Sequence, residues 1–539
     1  MLVIDGAMGT AIQDRDLGPD DFGGLEYEGC NEYLTVTRPD VIEDIHRSYL
    51  EVGADIIETN TFGATPVVLA EYGLAHEARR LNRESAELAR RVADAASTPD
   101  KLRFVAGSMG PTTKTISVTG GITFEELAGD YQIQAAGLIE GGVDLLLLET
   151  SQDTLNVKAG LEGIDRAFAE LGREVPVAVQ GTVEPMGTLL AGQDVEAFYI
   201  SLAHRDLLWI GLNCATGPTF MTDHVRTLAS LSKFPVACVP NAGMPDEDGN
   251  YNESPEAMAT TVGRFAESGW VNIIGGCCGT VPKHIELLVE MASGKPVRPG
   301  VESDETRVSG IESLLVDDDV RPAIVGERTN VLGSRRFRRL IKEGSFEEAA
   351  EIGRRQIRNG AHILDICLQD PDRDEASDVA RFLDLVTKKV KAPIMIDSTD
   401  SEVIELALKR LQGKSIINSI NLEDGEERFQ SVVPLARRYG AALVVGCIDD
   451  DKEQAQAITK ERKLEVAIRS AKILTEKYGV PIEDIIFDPL VFPVGTGDQN
   501  YIGSGAETIE GVRLIKEALP GAKTVLGISN VSFGLPAEG

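Results

Sequence analysis

The sequence predicts an α/β protein of two tandem (β/α)8 TIM barrels, the second truncated after its seventh strand. Three observations predict it. Short β-rich apolar runs alternate with longer amphipathic stretches along the whole chain. The alternation occurs eight times up to residue 292 and seven times from residue 322. Nearly every run ends in glycine or polar residues, where the loops at the functional mouth of such a barrel begin. Hydrophobic residues make up 42% of the chain and aromatics only 5%, so the cores must be built from Val, Ile, Leu and Ala, as suits parallel strands buried on both faces.

Taken in order, the first eight runs are LVIDG (2–6), DIIETNT (55–61), FVAGSMG (104–110), DLLLLET (144–150), VPVAVQGT (175–182), LLWIGLNC (207–214), FPVACVPNAG (234–243) and VNIIGGCCG (271–279). They define a first domain over residues 1–292. Residues 293–321 are rich in Pro, Gly, Ser and acid and show no sustained period, so they read as a linker. A second domain over 322–539 follows. Its runs are AIVGERTN (323–330), HILDICL (362–368), PIMIDS (393–398), SIINSIN (415–421), AALVVGCI (441–448), IIFDPLVFP (485–493) and KTVLGISN (523–530). The sequence ends nine residues later. The eighth βα unit is therefore expected to be missing, because an open seven-stranded barrel would leave two unpaired edges.

A formal charge of −33 argues against nucleic acid and anionic membrane as partners, since both are bound through Lys and Arg clusters. No apolar run approaches the roughly 20 residues that span a bilayer, and the amino terminus lacks the features of a signal peptide. The expected location is the cytoplasm, where seven scattered cysteines stay as thiols rather than forming a disulfide framework.

Two of those thiols are neighbours, Cys277 and Cys278. On a regular strand they would point to opposite faces. Gly275, Gly276 and Gly279 are expected to take positive φ and turn both sulfurs toward the barrel mouth. Cys214 ends the sixth run at the same mouth, so three thiolates can converge. Three protein ligands leave a metal one open position, the catalytic rather than the structural arrangement, and sulfur ligands favour zinc over magnesium or manganese. From the residues alone, a buried or redox-active cysteine group stays open as the alternative. Cys238 and Cys447 read as core, Cys30 has no evident role, and the six histidines lack metal-ligand spacing.

The motifs DGAMGT, GADIIETNTF, GLNC, PNAG and GGCCGT resemble the homocysteine S-methyltransferase family. VGERTNVLGSRRF, MIDS, INSI and GISNVSFGLP resemble the pterin-binding family. Their order is similar to the amino-terminal half of the cobalamin-dependent methionine synthase family. The resemblance implies zinc at Cys214, Cys277 and Cys278. It implies homocysteine held by Asp5 and Glu149, with Asn241 reaching the open metal position when no thiol is bound. In the second barrel it places the pterin edge of 5-methyltetrahydrofolate against Asp397, Asn418 and Asp488, and Asn530 near the methylated N5. Glu327, Asn330, Gly333, Ser334 and Arg335 are implied contacts for the ring or its benzoyl-glutamate arm. Asn530 and Asp488 are the implied catalytic pair. Cys367 stands where the family usually has Asn, so it is left out of the site, and Asp365 carries little weight.

The implied activity is that of a 5-methyltetrahydrofolate–homocysteine S-methyltransferase. Cob(I)alamin accepts the methyl group and methylcobalamin delivers it to a zinc-bound homocysteine thiolate, giving methionine and tetrahydrofolate. The cobalamin-binding motif Asp-x-His-x-x-Gly is not found: Asp44-Ile-His46 comes nearest but has Tyr49 in place of Gly. Cobalamin is thus expected from another module of the full-length protein or in trans. The rivals are a cobalamin-independent thiol methyltransferase using betaine or S-methylmethionine, and a module that only binds folate. A dihydropteroate synthase reading is weaker, because GISN supplies Asn where that chemistry uses Lys.

Overall fold

The computed structural model describes residues 1–533 and Leu535. The chain divides into two compact units, with the sequence boundary between Glu302 and Ser303.

The first unit holds eight parallel strands: β1 (Leu2–Val3), β2 (Ile56–Glu58), β3 (Phe104–Met109), β4 (Leu145–Ser151), β5 (Val177–Gly181), β6 (Ile210–Asn213), β7 (Val236–Val239) and β8 (Ile273–Ile274). Their order is β1-β8-β7-β6-β5-β4-β3-β2. A parallel bridge between Ile4 and Ile56 closes the ring, supported by the Asp5 amide donating to the Ile56 carbonyl at 2.9 Å. Closure removes the sheet's edges. The barrel is filled by Ile4, Ile56, Leu145, Leu147, Val239 and Ile273 around Trp209, with Ala106, Ala178 and Ala237 making room for the indole. Alternation of large and small residues is what lets such an interior pack without voids. Cys277 sits against this core, at its upper end.

The stretch after the first barrel differs from the structureless linker expected. Arg298 is buried and its guanidinium donates to the carbonyls of Ala229 (2.9 Å), Phe234 (3.1 Å) and Ser232 (2.5 Å). A two-stranded hairpin follows, β9 (Arg307–Ser309) against β10 (Ser313–Leu315). Val308 is fully buried in the core of the second unit with Ile363, Met395, Ile416, Ala442, Val444 and Ile486. The hairpin thus plugs one end of that sheet. Backbone bonds hold it there, from Ser309 to the Lys414 carbonyl (3.1 Å) and from Ile311 to the Lys391 carbonyl (2.8 Å).

The second unit carries seven parallel strands in sequential order: β11 (Val325–Asn330), β12 (Ile363–Cys367), β13 (Ile394–Asp397), β14 (Ile416–Ile420), β15 (Ala442–Gly446), β16 (Ile485–Asp488) and β17 (Lys523–Thr524). It is the same βα barrel architecture carried through its seventh strand. Helices begin on side-chain caps such as Ser334, Asp374, Asp400 and Thr459, each accepting from an amide in the first turn. Among the described residues no helix is long and apolar enough to cross a membrane.

The hairpin's grip is testable. A Cβ on Gly413 would lie 1.9 Å from the Ser309 carbonyl oxygen, a backbone clash that nothing nearby can relieve. Gly413→Ala should lower the stability of the second unit by about 2 kcal/mol or more, and Val308→Ala by about 1–3 kcal/mol. Thermal melts of the full chain should show one transition shifting while that of the first unit stays in place.

Candidate metal centre and pterin site

The three sulfurs reach one point because two loops depart from strand geometry. Beyond β6, Cys214 and Ala215 both take left-handed backbone conformations (φ 61° and 56°). Beyond β8, Gly279 alone of the expected glycines has positive φ (76°). Gly275 and Gly276 serve a different need, close approach: added Cβ atoms would lie 3.0 Å from the Ile4 oxygen and 2.5 Å from Thr280 Oγ1. Both loops are tied to the segment after β7. Cys214 donates its amide to Val239 (3.2 Å), Cys277 donates to Pro240 (2.8 Å), and Ala242 donates to the Cys278 carbonyl (2.9 Å).

The Sγ atoms of Cys214, Cys277 and Cys278 lie within 4.8 Å of one another, and those of Cys214 and Cys278 are 3.7 Å apart. Two sulfurs each about 2.3 Å from a tetrahedral ion stand roughly 3.8 Å apart, so the spacing suits a thiophilic tetrahedral metal. The thiols of Cys214 and Cys277 hydrogen-bond to Cys278 and push its pKa down to about 3. Cys277 is pushed well above the ordinary thiol range by its hydrogen bonds to Cys214 and Cys278. The hydrogen bonds within the trio thus favour Cys278 as its thiolate, and a bound cation favours release of the remaining protons.

Asn241 lies between the two residues that hold the cysteine loop. Its side-chain oxygen is buried and has no partner among the described residues, which leaves a hard donor atom available on the segment that ties the two cysteine loops. Tyr251, from the loop after β7, donates its phenol to Cys278, and burial together with that sulfur's charge raises its pKa. A Cβ on Gly279 would fall 2.2 Å from that of Tyr251, so the glycine admits the ring.

Below the sulfurs lies an acidic floor. Asp5 and Glu149 are buried and are joined by Glu58 at the end of β2. Burial raises all three carboxyls, and the charge of Glu149 raises Asp5 and Glu58 further. Glu149 accepts from Ser108 Oγ (2.6 Å) and from Asn213 Nδ2 (2.9 Å), and the same amide nitrogen approaches Cys277 Sγ at 4.0 Å. Asp5 accepts from the Glu58 amide (3.1 Å) through one oxygen; the other is buried without a partner. Crowded carboxyls whose pKa values are raised by burial and by one another favour an incoming cation such as an ammonium. Sequence reasoning missed Glu58 and Tyr251. Glu58 offered a signal, as the acid that follows the two isoleucines of the second run and ends β2.

In the second unit, Asp397 and Asn418 are register partners on β13 and β14. Asn330 Nδ2 approaches Asp397 Oδ2 at 3.5 Å. Its amide oxygen accepts from Leu332 (2.8 Å) and Gly333 (3.0 Å), and Ser334 caps the helix Arg335–Lys342. Asp488, at the end of β16 opposite Gly446, accepts from the Leu490 amide (2.9 Å) and is raised by burial. Glu327 accepts from Ser529 Oγ (3.0 Å), which joins the end of β11 to the turn bearing Asn530. Asn530 itself is exposed, as is Arg335.

Asp365 and Cys367 stand inside this group, although the sequence assigned them little or nothing. Ile363, Asp365 and Cys367 alternate along β12, and Ile363 belongs to the barrel core, so period two brings all three to the interior. The Cys367 thiol donates to Asp397, whose pKa burial lifts to about 6. Burial, then the charge of Asp397, pushes Asp365 up to about 8, and its Oδ1 is buried without a partner. That departure from expectation has a plain cause: the site extends one layer deeper than the strand ends.

Comparison with known proteins follows these two groups. The family model for homocysteine S-methyltransferase matches residues 2–292, and that for pterin binding enzyme matches residues 326–538. Among solved structures, the homocysteine methyltransferase MmuM from Escherichia coli is similar in its oxidized form (23% identity, 54% of this chain, 95% of that one, TM-score 0.44). Its metallated form is similar at 23% identity over 53% of this chain and 95% of that one, with a TM-score of 0.44. The chain is a methyltransferase of the homocysteine S-methyltransferase family, with a pterin-binding domain as its second unit.

Proposed function

We propose that the chain serves methyl transfer from 5-methyltetrahydrofolate to homocysteine by way of cobalamin, forming methionine and tetrahydrofolate. It is read as a cytoplasmic 5-methyltetrahydrofolate–homocysteine S-methyltransferase whose cobalamin comes from another module or in trans. The observation that carries this reading is the convergence of three sulfurs in a barrel that also gathers the buried carboxyls of Asp5 and Glu149 with the half-buried Glu58, in a chain whose other domain matches pterin-binding enzymes.

Zinc fits the sulfur trio, and when bound it would supply Lewis acidity that favours an incoming thiol as thiolate. The chain's own residues do the rest of the binding. Asp5, Glu58 and Glu149 offer charge to the homocysteine ammonium. Ser108 and Asn213 orient Glu149. Asn241 Oδ1, buried and unpartnered among the described residues, is assigned to the open position while no thiol is present. In the second unit Asp397, Asn418 and Asp488 match the amide and amino edge of a pterin with paired hydrogen bonds. Asp365, held neutral by burial, adds an O–H donor that a carboxylate lacks. Asn530, on the turn tied to Glu327, is assigned to N5, where a proton must arrive to make the amine a better leaving group.

Four outcomes are expected. The purified chain should hold one zinc per molecule, and Cys278→Ser should lose it. With methylcobalamin and homocysteine that variant should be slower by at least about 100-fold, while methyltetrahydrofolate and cob(I)alamin should react as before. Equal loss of both half-reactions, or methylation of homocysteine from betaine without any corrinoid, would overturn the assignment.

Glu149→Gln should weaken homocysteine binding by about 10–100-fold, the effect of losing a charge-assisted hydrogen bond, with zinc content unchanged. Asp365 gives a pH signature. Its folded pKa of about 8 exceeds its unfolded value of about 3.9, so its proton is held more tightly in the fold. Its contribution is fully present below the unfolded pKa and is lost as pH rises toward 8. Asp365→Asn should therefore raise the melting temperature of the second unit by several degrees more at pH 8.5 than at pH 5, as differential scanning calorimetry would show.

A further inference from the structure

We propose that Lys463, buried inside the second unit, is the positioning residue for Asp488: its ammonium holds the turn 488–490 and so presents one carboxylate oxygen to the pterin. This rests on the folate reading above and adds to it a side chain that touches no substrate.

No part of this lysine reaches solvent, and it is among the largest fully buried side chains. It sits near the start of the helix Lys460–Lys472, which Thr459 caps. A cation there opposes the helix dipole, and a buried ammonium is costly unless it is hydrogen-bonded. The bonds are present. Lys463 Nζ donates to the carbonyls of Ala457 (2.7 Å), Pro489 and Leu490 (3.4 Å), and it lies over the Phe492 ring, 5.0 Å from the centroid. Gly511, on the helix Ser504–Ala518, makes room for the stem: a Cβ there would lie 2.7 Å from Lys463 Cδ. Burial lowers the pKa of the ammonium to about 8, and the charges of Cys447, Asp488 and Glu507 act to raise it. These three groups come from the loop after β15, the end of β16 and the helix Ser504–Ala518.

What the ammonium holds is a strained turn. Leu490 has a left-handed backbone (φ 65°), an unfavourable conformation for a residue with a Cβ. Its amide donates back to Asp488 Oδ1 (2.9 Å), while its carbonyl accepts from Lys463 and from Thr508 Oγ1 (3.0 Å). Cys447 ties the same parts together, its amide donating to the Asp488 carbonyl (2.9 Å) and its thiol to the Lys463 carbonyl (3.6 Å). That thiol keeps its proton, since burial and then Asp488 push it up to about 12. Asp488 Oδ1 is thereby fixed, and Oδ2 accepts no hydrogen bond among the described residues. Burial pulls Asp488 toward its acid form, and the Leu490 amide and the charge of Lys463 oppose that pull. Both supports depend on this one lysine. A pterin edge that offers amide and amino hydrogens needs an acceptor at that place.

The test is titration calorimetry of the full chain with 5-methyltetrahydrofolate at about pH 6 and about pH 8, comparing the parent with Lys463→Met. Methionine keeps most of the stem and removes the charge and the donors. At the higher pH the variant should bind about tenfold more weakly, as expected when a charge-assisted hydrogen bond is lost. At the lower pH its loss should be at least about threefold larger, because Asp488 without its two supports takes up a proton at higher pH. Asp365 and Asp397 titrate in both proteins, so their contribution drops out of the ratio. Unchanged affinity, or a loss equal at the two pH values, marks Lys463 as a loop tie only; either result overturns this inference and leaves the folate reading standing. Should Lys463→Met fold poorly, Gly511→Ala decides, since its Cβ displaces the stem while the charge remains. Binding weaker by several-fold supports the inference, and parent affinity overturns it. A parent chain that binds no methyltetrahydrofolate removes the folate reading and this inference with it.

Discussion

Negative charge crowded at one end of a barrel is the constraint on which the first unit depends. Three sulfurs that tend toward anions stand over three carboxyls whose own ionisation burial resists. Repulsion of this kind is tolerable only where protons or cations balance it. The backbone is built around that demand. Left-handed residues at Cys214 and Ala215, glycines that allow contact with Ile4 and Thr280, and a shared loop after β7 hold the sulfurs together. What the arrangement lacks is positive charge of two kinds, one soft and one able to donate hydrogen bonds. A thiophilic metal and an α-ammonium are those two kinds, and homocysteine bound through its thiol brings the second to the first.

The second unit meets a similar crowding with a different remedy. The charge of Asp397 raises Asp365, and burial and Glu375 raise Asp397, but here a thiol donor, an asparagine and a retained proton absorb the cost. A neutral heterocycle edge of alternating donors and acceptors suits such a group better than a metal does. No comparable trio of soft ligands was found among the described residues outside the first unit. The two barrels share an architecture and the principle that strand ends carry function, yet the protonation state of their acids directs them to different ligands.

Much of this was legible in the amino-acid sequence. The fifteen barrel strands fall within the apolar runs, β4 alone passing its run by one residue, Ser151, because a parallel strand covered on both faces must be apolar and its loop must turn. Cys277 and Cys278 announced themselves by adjacency, and Cys214 by its place at a run's end. The hairpin Arg307–Leu315 stayed hidden because its burial depends on one residue, Val308, meeting a core assembled by seven distant strands. Tyr251 was invisible for the same reason: it touches Cys278 only through loop closure, and no periodicity marks a loop. Asp365 was underweighted because attention to strand ends overlooks the interior layer beneath, and Cys367 was left out because it stands where the family usually has Asn; alternation along β12 turns both inward.

The chemistry explains why one chain should carry both groups. A methyl on a tertiary amine leaves badly, and a thiolate softened by a metal attacks less readily than a free one. Direct displacement would need the sulfur and the methyl carbon within about 3–3.5 Å and in line. In the function proposed above each reacting atom is anchored by its own strand ends, the thiol by the sulfur trio and the pterin by Asp397, Asn418 and Asp488. Moving either anchor to satisfy the other would give up the charge balance that makes each site bind. A carrier that accepts the methyl at one barrel and releases it at the other removes that conflict, because each transfer then has to be aligned only with its own set of residues. The separate charge solutions of the two units, soft cation in one and retained proton in the other, are the arrangement such a division requires.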